Sequence, residues 1–218
     1  MQIYTGTCGG NEKDLNKINE LELGFMISAE PDKKYKNYLC AIDNGAYMAW
    51  KRGFPWSEKR FMELLDKCWT TGINAEFIVC PDIVQGGMDS YYFSISWAKK
   101  LRPARLALAV QDGMAIADII IADLRYFTHI FIGGSVDWKW KTAKQWVIFA
   151  HENGKKCHIG KCGTLEKLIY AAKIGADSID STSFIRNKSW NIIEDYYKEI
   201  KNPQLSLFSN NGEMNDLY

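Results

Sequence analysis

The chain has 218 residues, 47% of them hydrophobic and 13% aromatic, and 27 lysines and arginines against 26 aspartates and glutamates leave a net charge of +1. That content is enough to bury a full core in one domain, while the charge balance excludes a strong global field, so a polyanionic partner would have to be gripped by local patches. No apolar run reaches the roughly 20 residues of a membrane span, the first residues lack the basic-then-apolar order of a signal peptide, and six scattered cysteines are expected as reduced thiols in a cytoplasmic protein.

Taken in order, Gln2–Thr5 reads as a short strand and 6–10 as a loop, followed by a weak helix or connection over Asp14–Leu23. Apolar runs then recur at Gly24–Ser28, Tyr38–Ile42, Glu76–Cys80, Arg105–Val110 and His129–Ile132, with further short strands ending near Gly160 and covering Ala176–Ile179. Helices are expected at Ser57–Thr71, Met88–Leu101, Ile116–Leu124, Trp138–Asn153, from Thr164 to Gly175, and at Ser189–Ile200, where Asn202-Pro203 ends the last one. Residues 1–200 thus read as one domain and 201–218 as a polar tail. About eight strands alternating with helices or connections predict a small α/β barrel of the (β/α)8 type, with an open doubly wound sheet as the alternative. The continuous apolar character of the strands suits either parallel architecture.

The strand exits carry a consistent kind of residue: Asp43, Asp82, Gln111, Gly133-Gly134, Gly160 and Asp180. In a parallel barrel these exits converge on one mouth. Singly, each has an ordinary explanation. Asp43-Asn44-Gly45 suits a turn, Asp82 a helix cap, Gln111-Asp112-Gly113 and Gly133-Gly134-Ser135 loops, and Asp180 a cap on 181–184. Their recurrence at successive exits carries the functional reading. Two carboxylates facing one cavity suit substitution at an anomeric carbon, one as nucleophile and one as proton shuttle. A further Asp, a Gln and bare glycine backbone match the donor and acceptor edge of a purine-like base, and nothing in this chemistry calls for a metal or another cofactor.

These residues resemble the tRNA-guanine transglycosylases. That family's Asp-Ser-Gly-Gly-Phe is similar to Asp43-Asn44-Gly45-Ala46-Tyr47, its Val-Gln-Gly-Gly to Val110-Gln111-Asp112-Gly113, and its Gly-Gly exit to Gly133-Gly134. Its Met-Gly-Val-Gly-Thr-Pro resembles 159–165, and its Phe-Asp-Cys-Val-x-Pro-Thr-Arg resembles 179–186. The resemblance implies a (β/α)8 barrel with Asp180 as nucleophile on C1′, Asp43 as general acid/base, and Asp82, Gln111, Gly133 and Gly134 as readers of the base, with Tyr47 and Gly160 beside them. It also implies covalent, ping-pong exchange of guanine for a 7-deazaguanine of the preQ0 type.

The zinc-binding subdomain of the tRNA enzymes has no counterpart: Cys157, His158 and Cys162 are too few and stand too close to a strand exit, so core packing is expected of them. The smaller size points to the related DNA-guanine transglycosylases of phages and bacterial modification systems. The implied partners are then DNA, with its guanine flipped or single-stranded, a 7-deazaguanine base and helper proteins of such a system, in the cytoplasm of the host if phage-encoded. Lys51, Arg52, Lys139, Lys141 and Arg186, interleaved with Trp56, Trp138 and Trp140, are the expected phosphate and base contacts around the mouth. An RNA-directed transglycosylase or base-releasing glycosidase, and a non-catalytic purine-binding barrel, are the alternatives.

Overall fold

The computed structural model describes residues 1–9, 11–101 and 104–201, the last by its backbone alone. Eight strands form one closed, all-parallel barrel in chain order: β1 (Gln2–Thr5), β2 (Gly24–Ile27), β3 (Cys40–Ile42), β4 (Ala75–Val79), β5 (Leu106–Val110), β6 (His129–Ile132), β7 (Lys156–Ile159) and β8 (Ser178–Ser181). Closure is explicit at β1, where Tyr4 is in register with Gly24 of β2 on one side and with Asp180 of β8 on the other. The expected small (β/α)8 barrel is present, and the open sheet is ruled out. The expected tail, 201–218, lies outside the described residues apart from the backbone of Lys201.

The strand sequences explain the absence of polar alternation, because both faces are buried. In β5, Leu106, Leu108 and Val110 point outward into the core beneath the helices, while Ala107 and Ala109 point into the barrel. The inward set is Tyr4, Met26, Ala41, Phe77, Val79, Ala107 and Ala109, with Phe131 packed on it. Alanines on one strand thus leave room for rings on its neighbours. Gly24 serves the same purpose, since a Cβ there would lie 2.6 Å from the Tyr4 ring. Shaving the fully buried Leu108 to Ala would cost about 2–5 kcal/mol.

The surrounding helices are α1 (Glu12–Glu20), α2 (Ala46–Lys51), α3 (Glu58–Thr70), α4 (Gly87–Lys100), α5 (Val136–Glu152), α6 (Leu165–Lys173), α7 (Ser183–Arg186) and α8 (Trp190–Lys201). Side-chain caps start several of them: Asn11 accepts from the Lys13 N–H, Ser57 from Arg60, Ser135 from Trp138 and Thr164 from Lys167. Three expectations shift. The weak helix is a regular one over Glu12–Glu20 because Asn11 caps it. The segment expected as a helix over Ile116–Leu124 is two 3-10 turns, Ile116–Asp118 and Ile121–Tyr126. The last strand runs two residues later than expected, so Asp180 lies inside β8 rather than beyond it. Among the described residues no helix is long and apolar enough to cross a membrane.

Candidate active site

The inward parity of β3, β5, β6, β7 and β8 continues into their exits. Asp43 follows inward Ala41 by two residues, Gln111 follows Ala109, and Gly133 follows Phe131; Gly160 stands two beyond His158, and Asp180 two beyond Ser178. The carboxyl-terminal mouth of the barrel therefore receives these groups together.

Three carboxylates crowd there. Burial, then the neighbouring charges of Asp180 and Asp82, push the Asp43 carboxyl up to about 6. Burial also raises Asp82, against the hydrogen bonds it accepts. Those bonds belong to a closed amide network. Asn44 Nδ2 donates to Asp82 Oδ1 at 2.7 Å and to the Cys80 carbonyl at 2.8 Å, and Asn44 Oδ1 accepts from the Ala46 N–H at 2.8 Å. Gln111 Nε2 donates to Asp82 Oδ2 at 3.1 Å and to Ser90 Oγ at 2.8 Å, while its Oε1 accepts from the Gln85 N–H at 2.6 Å. Trp56 Nε1 donates to the Asn44 carbonyl at 2.9 Å, so that tryptophan, packed on Phe61, Phe93 and Trp97, braces the Asp43 loop. Asp82 and Gln111 are thus brought together as expected, but the Gln111 amide is spent holding Asp82.

The glycines divide by role. The Gly133 N–H is used by the Val110 carbonyl, and Gly160 uses its N–H on Ile132 and its carbonyl on Lys139 Nζ. Gly160 is instead needed for space, since a Cβ would meet Phe131 at 2.9 Å and Asp180 Oδ1 at 3.4 Å. Gly134 has φ +78, and a Cβ there would lie 2.7 Å from Asp112 Oδ2. That carboxylate accepts from the Ser135 N–H at 2.6 Å and from the Ser135 hydroxyl, tying the β5 and β6 exits together.

Asp180 is 8% exposed. Its Oδ1 lies 3.1 Å from His158 Nε2 and accepts from the Lys161 N–H at 3.3 Å. Two features here escape the sequence reading. His158 faces inward while Cys157 faces the outer core and the Cys162 thiol meets the Ile159 carbonyl, so the three diverge; the signal was the parity that His158 shares with Gly160. Lys161 is a non-glycine residue at φ 64, its ammonium 2.8 Å from the centroid of the half-buried Tyr47 ring. Partial desolvation and the charge of Lys139 lower its ammonium to about 8.

The expected nucleic-acid contacts separate. Lys51 and Arg52 are exposed at the end of α2, Lys141 on α5 and Arg186 at the end of α7. Lys51 is near enough to Lys161 for the two charges to interact. Arg52 lines a groove of about 490 Å³ that also includes Asn44, Gly45, Phe54, Trp56 and Arg60. Lys139 does not belong with them. It is 3% exposed and donates to the Gly160 carbonyl, because α5 begins at Val136 and turns that residue toward the barrel. Burial lowers its ammonium, with Cys162 and Asp180 opposing. Trp138 packs on Trp146 and Trp140 on Tyr170, so both tryptophans serve packing.

Among the described residues no group of three His, Cys, Asp or Glu side chains has the geometry to hold a metal ion. Compared with known proteins, the chain matches no protein-family model and no curated sequence.

Proposed function

We propose that this barrel is a guanine transglycosylase acting on DNA, exchanging guanine for a 7-deazaguanine through a covalent intermediate on Asp180. The observation that carries the reading is the pair Asp43 and Asp180 at one mouth, with Asp43 held near neutral protonation by burial and by Asp180 itself. One carboxylate that loads and releases a proton near pH 6, beside another that projects from the barrel interior, divides the labour that two displacements at C1′ require.

In the first displacement an Asp180 oxygen forms a bond to C1′ as the C1′–N9 bond breaks. The bonding pair leaves with guanine, which takes a proton from Asp43. In the second, Asp43 accepts the N9 proton of the incoming deazaguanine, its N9 attacks C1′, and the C1′–O bond to Asp180 breaks. Two inversions give net retention. Asp82, fixed by Asn44 and Gln111, supports recognition of the donor edge of the base, because each of its oxygens has a lone pair left beyond the amide bond it accepts. The choice of DNA over tRNA carries over the expectation drawn from the sequence, in which no pattern matches the zinc site of the tRNA enzymes, with exposed Lys51 and Arg52 offering phosphate contacts beside the mouth.

The test is incorporation of labelled guanine and labelled preQ0 into DNA and, in parallel, into tRNA, by wild type and Asp180→Asn. Label entering DNA only with intact Asp180 supports the reading. Label entering tRNA alone moves the substrate to RNA, and release of free base without incorporation makes the protein a glycosidase. Binding of the base without exchange or release points to a non-catalytic purine-binding barrel.

A further inference from the structure

His158 is fully buried inside the barrel, where an apolar residue would pack without the cost of enclosing a polar ring. Its ring is fixed from three sides. Phe131 stacks on it with centroids 4.9 Å apart and planes at 17°, and Phe77 and Tyr4 approach at 5.2 Å and 5.9 Å. Both nitrogens have partners on the neighbouring strand: Nδ1 is 2.8 Å from Ser178 Oγ, and Nε2 is 3.1 Å from Asp180 Oδ1. A carboxylate oxygen only accepts, so a hydrogen sits on Nε2, and in the neutral ring Nδ1 accepts from the Ser178 hydroxyl.

The two oxygens of Asp180 are therefore unequal. Oδ1 accepts from His158 and from the Lys161 N–H. Among the described residues nothing donates to Oδ2.

We infer that His158 is a positioning residue that anchors Asp180 through Oδ1, so that Oδ2 is the oxygen that bonds to C1′. The inference rests on the transglycosylase reading for its kinetics, but not for its geometry. Two donors on one oxygen stabilise negative charge on the carboxylate, which makes Asp180 a better leaving group in the second displacement. Loss of the His158 donor then slows breakdown of the glycosyl-enzyme more than its formation, and the covalent species accumulates.

The experiment has two arms. In the first, His158→Phe keeps a flat ring but no donor, and His158→Gln places an amide N–H near the Nε2 position. His158→Phe is expected to fold, to lower kcat for base exchange by roughly 10- to 100-fold with KM for the base within about twofold, and to accumulate more DNA-linked protein than wild type during turnover with incoming base present. His158→Gln is expected to recover a large part of the rate. Wild-type kcat in His158→Phe, or no recovery in a folded His158→Gln, would overturn the positioning role. In the second arm, the tautomer is read by nitrogen NMR in the wild-type protein, which has 3 histidines to assign. A hydrogen on Nε2 with Nδ1 bare is expected, and it should respond to Asp180→Asn. A hydrogen on Nδ1 alone overturns the anchor. If wild type exchanges no base, the function proposed above fails while this arm still decides the geometry.

Discussion

The two ends of the barrel differ in how their carboxylates are offset. At the amino-terminal end, Glu76 meets Lys156 at 2.7 Å and Arg105 at 3.3 Å, and Asp177 meets His151 at 2.9 Å and the Cys157 N–H at 2.7 Å. Each carboxylate there has a cation or donor assigned to it, and the Lys156 hydrogen bond holds Glu76 below its usual range. At the carboxyl-terminal end Asp43, Asp82 and Asp180 face one another, and repulsion adds to burial in raising Asp43. The difference separates an end whose charges are paired off for the fold from an end whose crowded carboxylates make it the candidate site.

The largest way to break that contrast is to remove the proposed nucleophile. Asp180→Asn is expected to lower base exchange by on the order of 10⁴-fold or more while the thermal transition is kept, measured by label incorporation and calorimetry. Asp43→Asn should follow at roughly 10²–10⁴-fold. In wild type the two half-reactions should separate with pH. Guanine release, which needs protonated Asp43, is expected to fall above about pH 6, and uptake of the incoming base, which needs the carboxylate, to fall below it. A pH-independent release step would remove Asp43 from the proton role.

Stability offers a finer test. The folded-state value of Asp43 lies above its usual 3.8, so the folded state holds the proton more tightly and gains stability below that window. The gain is lost as pH rises through about 6. Asp43→Asn is therefore expected to stabilise the protein at pH 8, by about 1–2 kcal/mol after allowing for its partial exposure, and to have little effect near pH 4, read from denaturant midpoints.

The smallest effect belongs to the opposite end. Glu76→Gln should cost roughly 0.5–1 kcal/mol, because its partners are largely exposed, and should leave exchange unchanged. The lowered carboxyl of Glu76 contributes above the ordinary carboxylate range and loses that contribution as pH falls, so the mutant penalty should shrink in acid. An effect of Glu76→Gln on exchange would erase the distinction between the ends.

The barrel was legible because strands buried on both faces read as uninterrupted apolar runs, and the exits were legible because turn and carboxylate residues end those runs. Parity was the weaker signal. Asp180 falls beyond the expected strand, which in fact contains it, because Asp180 and Ser181 look like loop residues yet pair with β1. Helix α2 was missed because Gly45 at φ 75 starts it without a side-chain cap. Lys139 was read as a rim cation because charge alone does not say which side of α5 it occupies. His158 was legible only as a neighbour of two cysteines, and its role depends on Ser178 and Asp180, which lie 20 and 22 residues away in sequence.

Lys161 places two unlike duties on one residue: its backbone N–H anchors Asp180, while its side chain lies over Tyr47. A left-handed backbone at φ 64 suits glycine or asparagine better than lysine, so exchanging the side chain need not disturb the anchor. A change to glycine or asparagine would thereby alter the charge above the mouth, which is felt by Asp43 and Asp180, while the backbone N–H stays on Asp180. Under the proposed reading, the rim of the mouth can then be retuned while the backbone hold on Asp180 is kept.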